Sequence, residues 1–252
     1  MKVLILVAHA DPFGHSAIYP FALSAKEALI EMGSEVKFFD LVKEGFDRTA
    51  TIYDFNSIKN PDDFHYANEQ AEDNLIPLIR EHQEHVEWCT HMLIFGPMWY
   101  FRFPATFYAY FERVFTNGFG YTPTKFVETG PMKGKFAMCI TTCGNKPDFI
   151  NPKGGLSSIE GLMYHTISGH LRYCGFSVLR SQAFCSVESK NFKENLPELL
   201  TKWKKAIMNL HNRPMVPFFK FGMSDPSKPN ELQFLAGLED LSLDEAINYS
   251  LH

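Results

Sequence analysis

No apolar run in this 252-residue chain approaches the ~20 residues that a membrane-spanning helix needs. No secretory pattern precedes the first strand-like run, so the sequence reads as a cytoplasmic protein without a membrane span. Excess basic charge is missing too. Lys and Arg number 24 against 29 Asp and Glu, the formal charge is −5, and no basic stripe is present. Nucleic acid is therefore disfavoured as a partner, because phosphate binding needs clustered cations. Cysteine is sparse. Cys89, Cys139, Cys143, Cys174 and Cys185 form no zinc-type paired spacing. An odd number without a secretory signal reads as reduced thiols, and Cys89 and Cys174 sit in apolar contexts as small buried hydrophobes. A Walker P-loop, a GxGxxG fingerprint, HExxH, a Ser-His-Asp set and paired-carboxylate spacing are all absent. His82, His85 and His91 fall near i, i+3 spacing among polar residues and read as solvated, with no metal site. Without an evident acid, base or metal set, the hard chemistry falls to an organic cofactor.

What is present is a repeating strand–helix pattern. Lys2–Ala8 is a continuous apolar run of the kind buried on both faces of a parallel sheet. Residues 16–32 read as a helix with Ser16 as a candidate cap and Gly33 closing it; Pro20 fits only its first turn. Glu35–Phe39 is a second strand, and strand–helix–strand implies a right-handed parallel crossover. Residues 40–68 form a long polar connection. A helix is expected over 69–88 with Pro77 kinking it, then a strand over 91–96 and a helix over 104–115 with Pro at its start. A strand over 135–141, a helix over 156–173 with Gly175 at its C-cap, a strand over 176–185 and a helix over 191–210 complete the pattern. Five alternating units make an α/β, doubly wound, five-stranded parallel sheet. The body is assigned to 1–212. The Pro-rich residues 213–252 are an extension that packs on the body or on a neighbouring subunit.

In such a sheet ligands bind outside the carboxyl ends of the strands, near the switch in strand order. Three loops lie there. The first, His9 to Ser16, enters a helix N-terminus whose free N–H groups could hold a phosphate; taken alone it is an ordinary βα loop with a Ser cap. The second, Gly96 to Pro104, carries Trp99, Tyr100 and Phe101 in succession. Adjacent side chains point in different directions, so all three cannot plug one core site, and a flat π-ligand explains them better. The third, Thr141-Thr142-Cys143-Gly144-Asn145, lets backbone approach a ligand closely and offers N–H and hydroxyl donors to developing negative charge; alone it is a plain turn.

Across nearly its whole length the chain resembles the NAD(P)H:quinone oxidoreductase family of the DT-diaphorase type. The likeness lies in LILVAH (Leu4–His9), Asp40-Leu41, NPDDFHY (Asn60–Tyr66), Ile94–Thr122, ITTCG (Ile140–Gly144) and YCGFSVL (Tyr173–Leu179). The resemblance implies a flavodoxin-like fold with strand order 2-1-3-4-5 and non-covalently bound FAD, with FMN the alternative. His9, Ser16, Ala17 and Ile18 would lie at the pyrophosphate and ribityl end, with His65 near the adenine half. Pro97, Met98, Trp99, Tyr100 and Phe101 would line the isoalloxazine, and Thr141, Thr142, Cys143 and Gly144 its pyrimidine edge. Phe149 would also contact the flavin, and a homodimer is implied in which Tyr121, Phe176 and Phe234 line the acceptor pocket from the partner subunit, together with Tyr100, Phe101 and Phe149.

Departures accompany the likeness. Ile18 replaces an Asn and Cys143 a Gly. Phe149 stands where the family has an active-site Tyr, with no His six residues on; Phe cannot donate a proton. The function implied is two-electron, ping-pong transfer from NAD(P)H to a quinone-like acceptor. The rival readings are a flavin-bearing regulatory subunit of a partner protein, and an FMN-dependent azo or nitro reductase.

Overall fold

The computed structural model describes residues 1–71, 74–150 and 156–218, and the backbone of 220–221 and 232–233. Five parallel strands, β1 (Lys2–Val7), β2 (Glu35–Asp40), β3 (His91–Pro97), β4 (Phe136–Thr142) and β5 (Ser177–Phe184), pair in the order β2-β1-β3-β4-β5. Val3 through Val7 are fully buried, as expected of a strand covered by helices on both faces. Alternate residues feed two cores. Val3, Ile5 and Val7 pack with α1 (Ile18–Glu31) and α6 (Lys190–Met208), where Phe21 stacks on Phe184 and the Trp203 indole N–H donates to the Phe21 carbonyl at 2.9 Å. Leu4 and Leu6 pack with α3 (Pro77–Trp88), α4 (Ala105–Val114) and the π-helical turn His165–Arg172.

Several boundaries depart from the sequence reading. The helix expected over 69–88 is two helices, α2 (Tyr66–Ala71) and α3. Pro77 starts α3 instead of kinking a longer helix, because its missing N–H costs nothing in a first turn. The helix expected over 156–173 begins as α5 (Ile159–Leu162), capped by the Ser158 hydroxyl, and continues as the π-turn; Gly175 closes the segment at φ +102°. The first helix starts at Ile18 without a side-chain cap from Ser16. Of the C-terminal extension, only a two-stranded pairing of β6 (Lys220–Phe221) with β7 (Leu232–Gln233) falls among the described residues past 218.

His82 and His85 are not solvated, as their polar neighbours had suggested. His82 is buried among Phe39, Phe46 and Tyr110, whose ring centroids lie 4.8–5.5 Å away. His85 stacks on Phe39 and sits 2.8 Å from the Lys37 amine. No group of metal ligands forms among the described residues. Burial, then the charges of His85 and Arg113, pull the His82 imidazole from its ordinary 6.5 to about 4. Its Nδ1 has no hydrogen-bond partner among the described residues.

The long connection after β2 is anchored by charge. Arg113 of α4 is fully buried and donates from Nε to Asp54 at 2.9 Å and from Nη1 to the Gly45 carbonyl at 3.0 Å. Asp54 also accepts from the Tyr66 hydroxyl at 3.0 Å and from the Thr51 N–H. Removing one member of such a pair strands the other charge in a dry site.

Two outcomes are expected in urea unfolding. Asp54→Ala should lower stability by about 3–5 kcal/mol at neutral pH. His82 is neutral in the fold and titrates at 6.5 when unfolded, so its contribution of about 3 kcal/mol is present above pH 6.5 and lost as pH falls toward 4. His82→Phe should flatten stability across that window; an unchanged slope would show that another group sets it.

Candidate active site

The sheet order sets the ends of β1, β3 and β4 side by side, and hydrogen bonds tie their loops together. The Ala8 N–H donates to Phe95 and the Met98 N–H to Thr142, both at 2.7 Å. Gly96 is needed here, because a Cβ would come within 2.9 Å of the Ala8 carbonyl and of the Phe103 ring. The result is a cleft of ≈ 570 Å³, within the range of small-molecule sites. It is lined by His9, Ser16 and Ala17 from the first loop, Pro97, Met98 and Trp99 from the second, and Thr142, Cys143 and Gly144 from the third.

The first loop is held by its own polar groups. Asp11 accepts from the backbone N–H groups of Phe13 and His15, each at 2.8 Å, and these bonds, Phe13 first, hold its carboxyl below the ordinary carboxylate range. The buried Tyr19 hydroxyl bridges the Asp11 carbonyl and the Asp40 carboxylate, tying the loop to the end of β2. Burial, and next the bond to Asp40, push that phenol above its ordinary range, so it stays a donor. His9 accepts the Asp11 N–H on Nδ1 at 2.8 Å, which assigns the ring proton of the neutral tautomer to Nε2. Burial lowers the His9 pKa and favours that neutral form. The N-cap of α1 is Ala17, which has no acceptor side chain, and the N–H groups of Ser16, Ala17 and Ile18 are unbonded among the described residues. A 14-residue helix therefore points an open N-terminus at the cleft, the arrangement that binds anions.

The second loop is a tight turn. Trp99 and Arg102 exchange two backbone hydrogen bonds at 2.8 and 3.1 Å, with Tyr100 (φ +52°) and Phe101 (φ +60°) between them. Two adjacent non-glycine residues in the left-handed region cost roughly 1–2 kcal/mol each. Their N–H groups make no bond among the described residues. Tyr100 is 93% exposed, and Trp99 and Phe101 are each 42% exposed, so no core packing repays the strain. The Trp99 ring approaches His9 at 5.6 Å, closing one side of the cleft.

The other expected site residues are dispersed. Tyr100 and Phe101 stand at the tip of the turn, outside the cleft lining. Ile18 and Thr141 lie behind the cleft in the core, so only their backbone could face a ligand. His65 is exposed on the long connection before α2, and Phe149 is 52% exposed in the turn Pro147–Phe149. Tyr121 lines a second hollow of ≈ 340 Å³ with Tyr66, Gln70 and Tyr173. Phe176 is 3% exposed with its ring against Phe115, so within the protomer it offers little face to a ligand. Phe234 lies outside the described residues. The fourth wall of the cleft, from Val187 and Glu188 to Phe192, Lys193 and Leu196, was not anticipated. The position of β5 beside β4 was the available signal, since its carboxyl end opens on the same crevice.

An open doubly wound parallel sheet of order 2-1-3-4-5 with a cleft at the switch in strand order is the flavodoxin-like architecture. The model of the flavodoxin-like fold family matches residues 1–207. NAD(P)H dehydrogenase [quinone] 1 of Cavia porcellus is 31% identical over 241 residues, covering 94% of this chain and 84% of that protein. Ribosyldihydronicotinamide dehydrogenase [quinone] of Pongo abelii is 25% identical over 221 residues, covering 86% and 94%. The solved NAD(P)H:quinone oxidoreductase of Methanothermobacter marburgensis superposes with TM-score 0.65 at 19% identity, covering 84% of this chain and 98% of that one, and agrees in fold. The chain belongs to the flavodoxin-like family and, within it, to the NAD(P)H:quinone oxidoreductase group.

If the turn is strained for a purpose other than folding, Tyr100→Gly should leave stability unchanged or raise it by up to about 1 kcal/mol. Urea denaturation checks this, and a clear loss would make Tyr100 a structural residue.

Proposed function

We propose that this chain is an NAD(P)H:quinone oxidoreductase that holds FAD non-covalently in the cleft between the loops after β1, β3 and β4. The observation that carries the reading is a cleft lined both by an open helix N-terminus and by Trp99, the first residue of a strained aromatic turn. The donor set fits such a group. The N–H groups of Ser16, Ala17 and Ile18 suit phosphate oxygens, and the Nε2–H of neutral His9 adds a donor without adding charge. Trp99 offers a flat apolar face, and the Gly144 N–H with the Thr142 side stands ready for negative charge at a ring edge. FAD, when bound, supplies two-electron hydride chemistry. The chain binds and orients the group, and its exposed aromatic turn receives the nicotinamide donor and then the quinone in succession. His65, on the long connection, would lie toward the adenine half.

The protein would act as a homodimer, with Tyr121 in its hollow beside Tyr66 and Tyr173 completing the acceptor pocket of the partner subunit. Phe149 cannot relay a proton, so solvent reaching the open cleft is the proton source. The same residue is the one feature favouring the second reading, a flavin-bearing regulatory subunit, which requires slow turnover and specific binding of a partner protein.

The purified protein should be yellow, bleach anaerobically with NADH or NADPH, and recover its colour when benzoquinone is added. Acid-released flavin should elute as FAD. A colourless protein that takes up neither FAD nor FMN would overturn the proposal. Tyr100→Gly should weaken FAD binding about tenfold, equivalent to ~1.4 kcal/mol, as read by flavin fluorescence quenching.

A further inference from the structure

Cys143 and Cys185 follow the ends of neighbouring parallel strands, β4 and β5. The paired register ends at Thr142 and Phe184, and two backbone bonds hold the residues one step beyond it. The Cys143 N–H donates to the Phe184 carbonyl at 2.9 Å, and its own carbonyl accepts from Val187 at 3.2 Å. In a regular parallel ladder that acceptor would serve Ser186; here Ser186 is set aside as a bulge at φ +58°. Cys143 and Cys185 therefore face each other across one ladder step, about 4.8 Å between strands, within the separation a disulfide spans. Their sulfurs lie 3.3 Å apart, and both thiols are free.

The pair stands between two openings. Cys143 lines the cleft described above, and Cys185 lines a neighbouring hollow of ≈ 460 Å³ with Pro147, Ser189 and Asn195. A small solute can thus reach Cys185 without entering the cofactor cleft. Cys185 is partly exposed, whereas Cys143, like Cys89, Cys139 and Cys174, is buried.

We infer that Cys143 and Cys185 form a redox-active dithiol that small hydroperoxides oxidise to an intramolecular disulfide. Cys185 is the attacking sulfur. The Cys143 thiol donates to it and lowers its pKa, while that same bond and burial raise the pKa of Cys143. The Cys185 thiolate attacks the terminal peroxide oxygen, the O–O bond breaks and the alcohol leaves, giving a sulfenic acid. The Cys143 sulfur then attacks the Cys185 sulfur and expels water. Two thiols and one hydroperoxide become one disulfide, one alcohol and one water, with the sulfurs losing two electrons and the peroxide gaining them. The bond ties the loop after β4 to the loop after β5, so two walls of the cleft are joined. An added dithiol reverses the step by exchange.

The test uses full-length protein, reduced, desalted and treated with cumene hydroperoxide, and needs no flavin. After denaturation in a thiol reagent, the five titratable thiols should fall to three, the intact mass should drop by two hydrogens, and a Cys143–Cys185 linked peptide should appear. Dithiothreitol should restore all five. Cys185→Ser should keep all four of its thiols under the same treatment, and Cys143→Ser should form no intramolecular link. Retention of five thiols by the native sequence, oxygen addition in place of hydrogen loss, a covalent dimer, or loss of two thiols from Cys185→Ser would each overturn the inference.

Discussion

The backbone ladder that holds β1, β3 and β4 in parallel register is the constraint on which the site depends. Each strand ends in a loop with no reason of its own to meet the others. The His9 loop is some ninety residues from the Trp99 turn, and that turn is some forty from Thr142. Pairing of Val7 with Phe95 and of Pro97 with Thr142 brings all three to one edge. The continuous burial of these strands makes the register costly to shift, since every side chain would change faces. The cleft is thus a consequence of core packing, and its walls inherit the rigidity of the sheet.

Within that frame, residues in and beside the cleft are arranged against their own local preferences. Tyr100 and Phe101 occupy left-handed backbone where glycine would be easier. The N-cap of α1 is an alanine that leaves its donors open, and His9 is held neutral in a half-buried position. Each arrangement sacrifices some folding free energy and leaves a donor or an aromatic face available. The long connection after β2 is treated differently: a buried Arg113–Asp54 pair, with Tyr66 and the Gly45 carbonyl, fixes the segment to α4.

Much of the architecture was legible because parallel strands buried on both faces are continuous apolar runs, and LILVA or MLIF admits few other readings. The three loops were legible for the same reason: each follows such a run. The aromatic succession at 99–101 pointed to the ligand side of the turn, but nothing in it announced two adjacent left-handed residues, because the usual signal is glycine or asparagine. The burial of His82 is hidden in the sequence, because its neighbours Glu81 and Glu84 are polar while the rings that bury it come from residues 39, 46 and 110. Helical propensity runs through 69–88 and gives no sign that Pro77 opens a new helix instead of kinking a longer one. The β5–α6 wall was missed because Val187, Phe192 and Leu196 look like any helix start; only the place of β5 in the sheet gives them a ligand-facing role.

The most direct measurement is a crystal structure of the chain soaked with FAD. The account requires the flavin ring against the turn between Pro97 and Pro104, its edge toward Thr142 and Gly144, and its phosphates at Ser16 to Ile18. FAD bound elsewhere, or an empty cleft beside a different small molecule that fills it, would contradict the account.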